Sequence, residues 1–185
     1  MHEAAHLAAA LHSNFPVNFA EITNVSHRRT DGNVHCFFPD ESDKSKATFI
    51  FVSLAGIAMN SIYHLTPFGV GGDWKNVRKY LAAMQKTENI EKKLTWKARQ
   101  FVVKHKEQIF KLAHTLQVRR RLDADEAKRI YRGKQEVIVP RTFLAAVDEI
   151  PLAKWIGNSE EMRAFEQYFP GGKSGLQFPE ENSKN

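Results

Sequence analysis

Apolar and polar positions divide the chain into a series of helices with one β-rich stretch near its start. Residues 2 to 12, "HEAAHLAAALH", are alanine-rich with Leu7 and Leu11, and Asn14 and Pro16 end that helical run. From Val17 to Phe38 β-branched and aromatic residues take over. There "FAEITNV" and "NVHCFF" flank "TDGN", which predicts a hairpin turning at Asp31-Gly32. After the polar "PDESDKSK" comes "ATFIFVSLAGIAMNSIYHL", Ala47 to Leu65, with no Asp, Glu, Lys or Arg, closed by Pro67 and the glycines at 69, 71 and 72. Its length would allow a membrane span. Asn60, Ser61 and His64 in its second half instead suit a helix that is apolar all round because it is buried in a globular core, and no membrane span is expected.

Further along, "WKNVRKYLAAM" predicts a helix with Val77, Tyr80, Leu81 and Met84 on one face. The longest stripe runs through Ile90, Leu94, Ala98, Phe101, His105, Ile109, Leu112 and Leu116, and predicts a single helix along the core. "DADE", Asp123 to Glu126, has capping-box spacing and should start a short helix reaching Tyr131. Past Gly133, "QEVIVP" reads as a strand-like run, "RTFLAAVDEI" and "SEEMRAFEQYF" as short helices, and "PGGKSGLQFPEENSKN" as a flexible end. The expected protein is mainly α with one small β-hairpin. It comprises a helical domain over residues 1–132, an appended segment over 133–170 that packs on it, and a tail over 171–185.

Composition narrows the function classes. The 185 residues are 42% apolar and 26% charged, the balance of an ordinary globular domain. A net charge of +6 implies weak attraction to acidic surfaces. Arg28-Arg29 and Arg119-Arg120-Arg121 cluster without aromatic interleaving or a recognisable motif, so no nucleic-acid partner is expected. Cys36 is the only cysteine, which rules out an intramolecular disulfide. With no secretory pattern at the start of the chain, a cytoplasmic location is expected.

The chemistry concentrates in the first helical turn. In a helix, positions i and i+4 share a face, so His2 and His6 can present two imidazole nitrogens to one metal ion, with Glu3 on the adjoining edge. Zinc binds such nitrogens at about 2.0 Å and, in catalytic sites, keeps one position for water whose pKa drops to about 7. A neighbouring carboxylate can then take the proton of that water as it attacks a carbonyl. Alanine-rich helices also carry such charged pairs by chance, and two histidines do not hold catalytic zinc. A third ligand decides between the readings. The candidates are His64, Asp73 and the acidic residues of the long helix. Within "FGVGGDWKNV" glycines deliver Asp73 to a helix start, where an aspartate also commonly serves as an N-cap. His12, His27 and His105 read as structural histidines, His35-Cys36 matches no common metal spacing, and Trp74, Trp96 and Trp155 read as core or groove residues.

The order of these elements resembles the peptidase domain of the FtsH-type ATP-dependent zinc proteases. Where that family's histidine helix reads "HEAGH", this chain has "HEAAH". The "LAGRAAEE" helix is similar to Leu54-Ala55-Gly56-Ile57-Ala58-Met59-Asn60, and the family's Gly-x-x-Asn-Asp turn to Gly69-Val70-Gly71-Gly72-Asp73. "LAEALLEKETLDGEEI" resembles the stretch from Leu112 to Ile130, so the likeness covers roughly residues 2 to 132. It implies zinc held by His2, His6 and Asp73, with Glu3 as general base. It therefore implies a zinc metallopeptidase acting on peptides or unfolded protein.

The chain departs from the family in three places. No Gly-x-x-x-x-Gly-Lys-Ser/Thr occurs, so hydrolysis would be ATP-independent in this chain, or would serve a separate partner protein. Asn60 and Ser61 replace the paired glutamates. Only Met1 precedes His2, which leads us to expect a longer native chain. The family's hexamers depend in part on the ATPase ring, so the resemblance leaves the oligomeric state open. The competing expectation is a catalytically inactive relative that keeps the fold and binds a protein partner. A peptidase dedicated to a single protein substrate is a third.

Overall fold

The computed structural model describes residues 1–25, 30–63, 70–84 and 89–143. Among them the chain is mainly helical, with one small antiparallel sheet. The order is α1 (His2–His12), β1 (Val17–Val25), β2 (Thr30–Cys36), α2 (Asp43–Ile62), α3 (Val70–Ala82), α4 (Ile90–Lys104), α5 (Lys106–Arg119), β3 (Arg121–Asp123) and α6 (Ala124–Tyr131).

Helix α1 lies at the centre of the fold. Every residue from Ala4 to Leu11 is buried, because alanine lets neighbouring backbones approach on all sides. Helices α2, α5 and α6 and strands β1 and β2 all pack on it. A larger residue at Ala8 or Ala9 would overpack that centre at a cost of about 1–3 kcal/mol. Helix α2 packs on α1, α3 and α4. Ser42 caps α2, its hydroxyl accepting from the Ser45 amide at 3.2 Å, so the helix begins earlier than Ala47. It is long and apolar enough by composition to cross a membrane, and 78% of its most apolar window is buried inside the fold.

The sheet has the order β2-β1-β3. Two expectations fail here. Asp31 and Gly32 do not form the hairpin turn: they pair with Asn24 and Ile22 inside the ladder. The third strand was not anticipated, since the three residues of β3 are too few to show a period. Leu122 is nevertheless buried, opposite Ala20.

The predicted long helix is two. His105 leaves helical geometry at φ −105° and ψ 22°. Its ring stacks on Phe101, with centroids 4.7 Å apart, and its Nδ1 lies 3.2 Å from the Tyr131 hydroxyl, which is also 3.1 Å from His12 Nδ1. A hydroxyl has one proton, so the two histidines take opposite roles: one accepts it and the other donates to the oxygen. They are structural, tying the ends of α1, α4 and α6 together. Asp123 caps α6, accepting from the Glu126 amide at 2.8 Å, while the Glu126 side chain pairs with Arg119 instead of completing the capping box. Residues 136–140 are irregular, not a strand, and Ile138 is exposed. Helical backbone begins at Arg141. The rest of the expected appended segment and the tail, residues 144–185, lie outside the described residues.

Candidate metal centre

Three elements meet at one point. The start of α1 brings His2 and His6, one turn apart with their rings at 89° and centroids 4.5 Å apart. The first turn of α3 brings Asp73. The middle of α2 supplies the floor.

The donor atoms form a small triangle. His2 Nε2 is 2.9 Å from Asp73 Oδ2 and 2.9 Å from His6 Nε2, and His6 Nε2 is 3.3 Å from the same carboxylate oxygen. Four ligands held tetrahedrally about 2.0 Å from zinc lie about 3.3 Å from one another. The triangle is therefore close to the size that one ion would impose. His2, His6 and Asp73 form a potential metal-holding group among the described residues. His64 falls outside those residues, and Glu91 and Glu107 of the long helical stretch take no part.

The surroundings fit an ion as well. His6 Nδ1 donates to the Val52 carbonyl at 2.7 Å, which turns the Nε2 lone pair of the neutral ring toward the triangle. Gly56, one helical turn further along α2, makes the room. A Cβ there would lie 2.3 Å from both Cε1 and Nε2 of His6 and 2.9 Å from Cε1 of His2. The buried Nδ1 of His2 has no hydrogen-bond partner among the described residues. The site opens toward solvent on the His2–Asp73 side, where the side chains keep 15% and 16% of their exposure, against 8% for His6.

The same arrangement favours a proton on His6. Burial works against a charge on His6. The hydrogen bond and charge of Asp73, helped by the charge of Glu3 and the Val52 carbonyl, outweigh it and raise the pKa to about 9. Burial likewise pushes Asp73 up, but the hydrogen bonds and charges of His2 and His6 hold its carboxyl well below the usual range.

Glu3 sits in the same turn of α1, pointing to the sheet. A Cβ added to Gly32 of β2 would lie 2.5 Å from Glu3 Cγ and 3.2 Å from Cδ, so the side chain runs directly over that glycine. The rejected candidates have ordinary partners. His35 stacks on Phe19 with centroids 3.9 Å apart, and its Nε2 lies 3.3 Å from Glu21.

The sequence reading missed Val52, Gly56 and Gly32 as parts of this site. The first acts through a backbone carbonyl and the other two through missing side chains, none of which leaves a chemical signature in the sequence. No family model matches the chain, and no curated protein matches it by sequence.

Proposed function

We propose that the chain is a zinc metallopeptidase of the FtsH-peptidase kind, hydrolysing peptide bonds of flexible or unfolded protein without an ATPase of its own. One observation carries the proposal: nitrogen and oxygen donors from two helices, with Asp73 71 positions from His2, form a triangle with sides of 2.9, 2.9 and 3.3 Å above a glycine that clears space for them. In this reading His2, His6 and Asp73 hold the ion. Bound zinc would supply Lewis acidity toward the scissile carbonyl and lower the pKa of water to about 7.

The protein's own groups do the rest. Val52 keeps the His6 tautomer that leaves Nε2 free to ligate. Asp73 offsets positive charge in a half-buried setting. Glu3 takes a proton from the attacking water on its carboxylate and passes it to the leaving amine.

The test is zinc stoichiometry together with turnover of a flexible protein such as casein. Wild type should carry one zinc, Asp73→Ala should lose it, and Glu3→Gln should keep it while losing hydrolysis. Wild-type hydrolysis by Glu3→Gln would refute the role of Glu3. Protein that carries no zinc, with a melting temperature indifferent to added zinc, would favour the non-catalytic binding module. An ion that bound the folded form would stabilise it by about 2.7 kcal/mol at a hundred times its dissociation constant.

A further inference from the structure

We propose that Gly32 is a positioning residue for the general base: its missing side chain is the slot that seats Glu3. The inference rests on the reading of Glu3 as that base.

Neither a turn nor its φ requires glycine at position 32, although a Cβ there would also crowd the Glu21 carbonyl, next to a register shift between Ile22 and Asn24. Gly32 does not form the hairpin turn, and it pairs with Ile22 in the middle of the ladder. Its φ lies outside the left-handed region, unlike that of Gly133. A glycine inside a strand weakens it and often marks the close approach of another group. Here the approaching group is identified. The Glu3 side chain would stand 2.5 Å from a Cβ at its Cγ and 3.2 Å at its Cδ. The charges of the Met1 ammonium and His6 act on the Glu3 carboxylate, while the stem of the side chain, Cγ and Cδ, is seated against β2. The metal-holding donors stand on α1 and α3 and face α2, whereas the Glu3 side chain, although next to His2 on α1, runs to β2. The base can therefore be displaced while the ion's ligands stay in place.

An alanine at Gly32 needs about 3.5 Å to a neighbouring carbon, so Glu3 Cγ must retreat by about 1 Å. A displacement of that size at a reacting group is worth about a hundredfold in rate. Some strain is independent of Glu3, because the new Cβ would also lie 2.9 Å from the Glu21 carbonyl oxygen. The test has to separate the two contacts.

The experiment is a double-mutant cycle on the zinc-loaded protein with wild type, Gly32→Ala, Glu3→Ala and the pair, read first by melting temperature. Glu3→Ala removes Cγ and Cδ and leaves the Glu21 carbonyl. The melting loss caused by Gly32→Ala should therefore be clearly smaller when Glu3 is already alanine. An equal loss in both backgrounds would show that the strain lies in the sheet and would overturn the seat. In the second readout, Gly32→Ala should keep one zinc and an unchanged KM on a fluorogenic peptide while kcat falls about a hundredfold. An unchanged kcat, or loss of zinc with the activity, would overturn the positioning role. A wild type that binds zinc but does not hydrolyse the peptide would instead refute the base reading and the positioning role built on it. The melting cycle would still decide the seat on its own.

Discussion

If His2, His6 and Asp73 hold zinc as proposed, filling the space that Gly56 leaves should abolish zinc binding before it costs the fold. An alanine Cβ at that position meets His6 Cε1 and Nε2 at 2.3 Å and His2 Cε1 at 2.9 Å. Ordinary contact distance is about 3.5 Å, so the His6 ring must retreat by about 1.2 Å. Metal–ligand bonds tolerate about 0.2 Å. A ring displaced six times that far is lost as a ligand, and losing a ligand should weaken binding more than the 10–100-fold typical of disturbing a supporting hydrogen bond. The effect on the fold should be small by comparison. Overpacking costs about 1–3 kcal/mol, and replacing glycine by alanine inside a helix returns up to about 1 kcal/mol. For a chain of this size the net corresponds to a melting loss of at most about 10 °C in the metal-free protein. The assay is calorimetric titration of chelator-treated Gly56→Ala with zinc, beside a melting curve of the same sample. A folded variant that binds one zinc with wild-type affinity would refute the idea that Gly56 clears the space for the histidine ligands.

Two further outcomes follow from the same cluster. In the metal-free protein the folded pKa of His6 is raised from 6.5 to about 9, so its contribution to stability is fully present below pH 6.5 and disappears as pH rises through 9. Asp73 is shifted the other way, and its contribution fades only in acid, below its ordinary 3.8. Melting temperature measured with a chelator should therefore fall between pH 6.5 and 9. Zinc affinity should rise over the same window, because the ion displaces the His6 proton; a chelated protein that melts higher at pH 9 than at 6.5 would contradict this. Replacing His2, His6 and Asp73 together by leucine should leave the metal-free protein as stable as wild type, or more stable by about 1–4 kcal/mol, whereas Asp73→Leu alone should destabilise it. Thermal or denaturant melts in chelator separate these outcomes, and a triple variant less stable than the single one would count against a cluster kept for a ligand.

How much of this was legible in the sequence depended on whether a feature repeats. Helix α3 was readable because its apolar positions recur at fixed steps and α6 from its capping spacing, while α1 and α2 were readable as an alanine-rich and an unbroken apolar run. The break at His105 was invisible to the same method. The amide of His105 still bonds to Phe101 at 2.9 Å and the amide of Ile109 to His105 at 3.0 Å, so the three- and four-residue spacing continues across the bend. Asp31-Gly32 misled because that pair is the strongest short turn signal, and here its glycine is occupied with Glu3. In the site, the neighbourhood of His2 and His6 followed from helical geometry alone. Asp73 did not: no local rule spans 71 positions, so the Gly-rich turn made it one candidate beside His64 and the acidic residues of the long helix, and the resemblance then favoured it.

The cluster itself is hard to explain as a stabilising device. Two imidazoles and a carboxylate are brought together against a centre of alanines, with His2 Nδ1 buried and without a partner among the described residues. A buried ionic group seldom stabilises more than well-packed apolar residues of the same volume, and an orphaned buried polar atom costs about 1–3 kcal/mol. Two glycines are also spent around it, at Gly56 in a helix and Gly32 in a strand, each weakening its own element. Local rules broken together at one point, with no gain in stability there, mark places where a ligand compensates. The donors fit the size of one ion, and the vacancies fit the side chains that would hold it and work beside it.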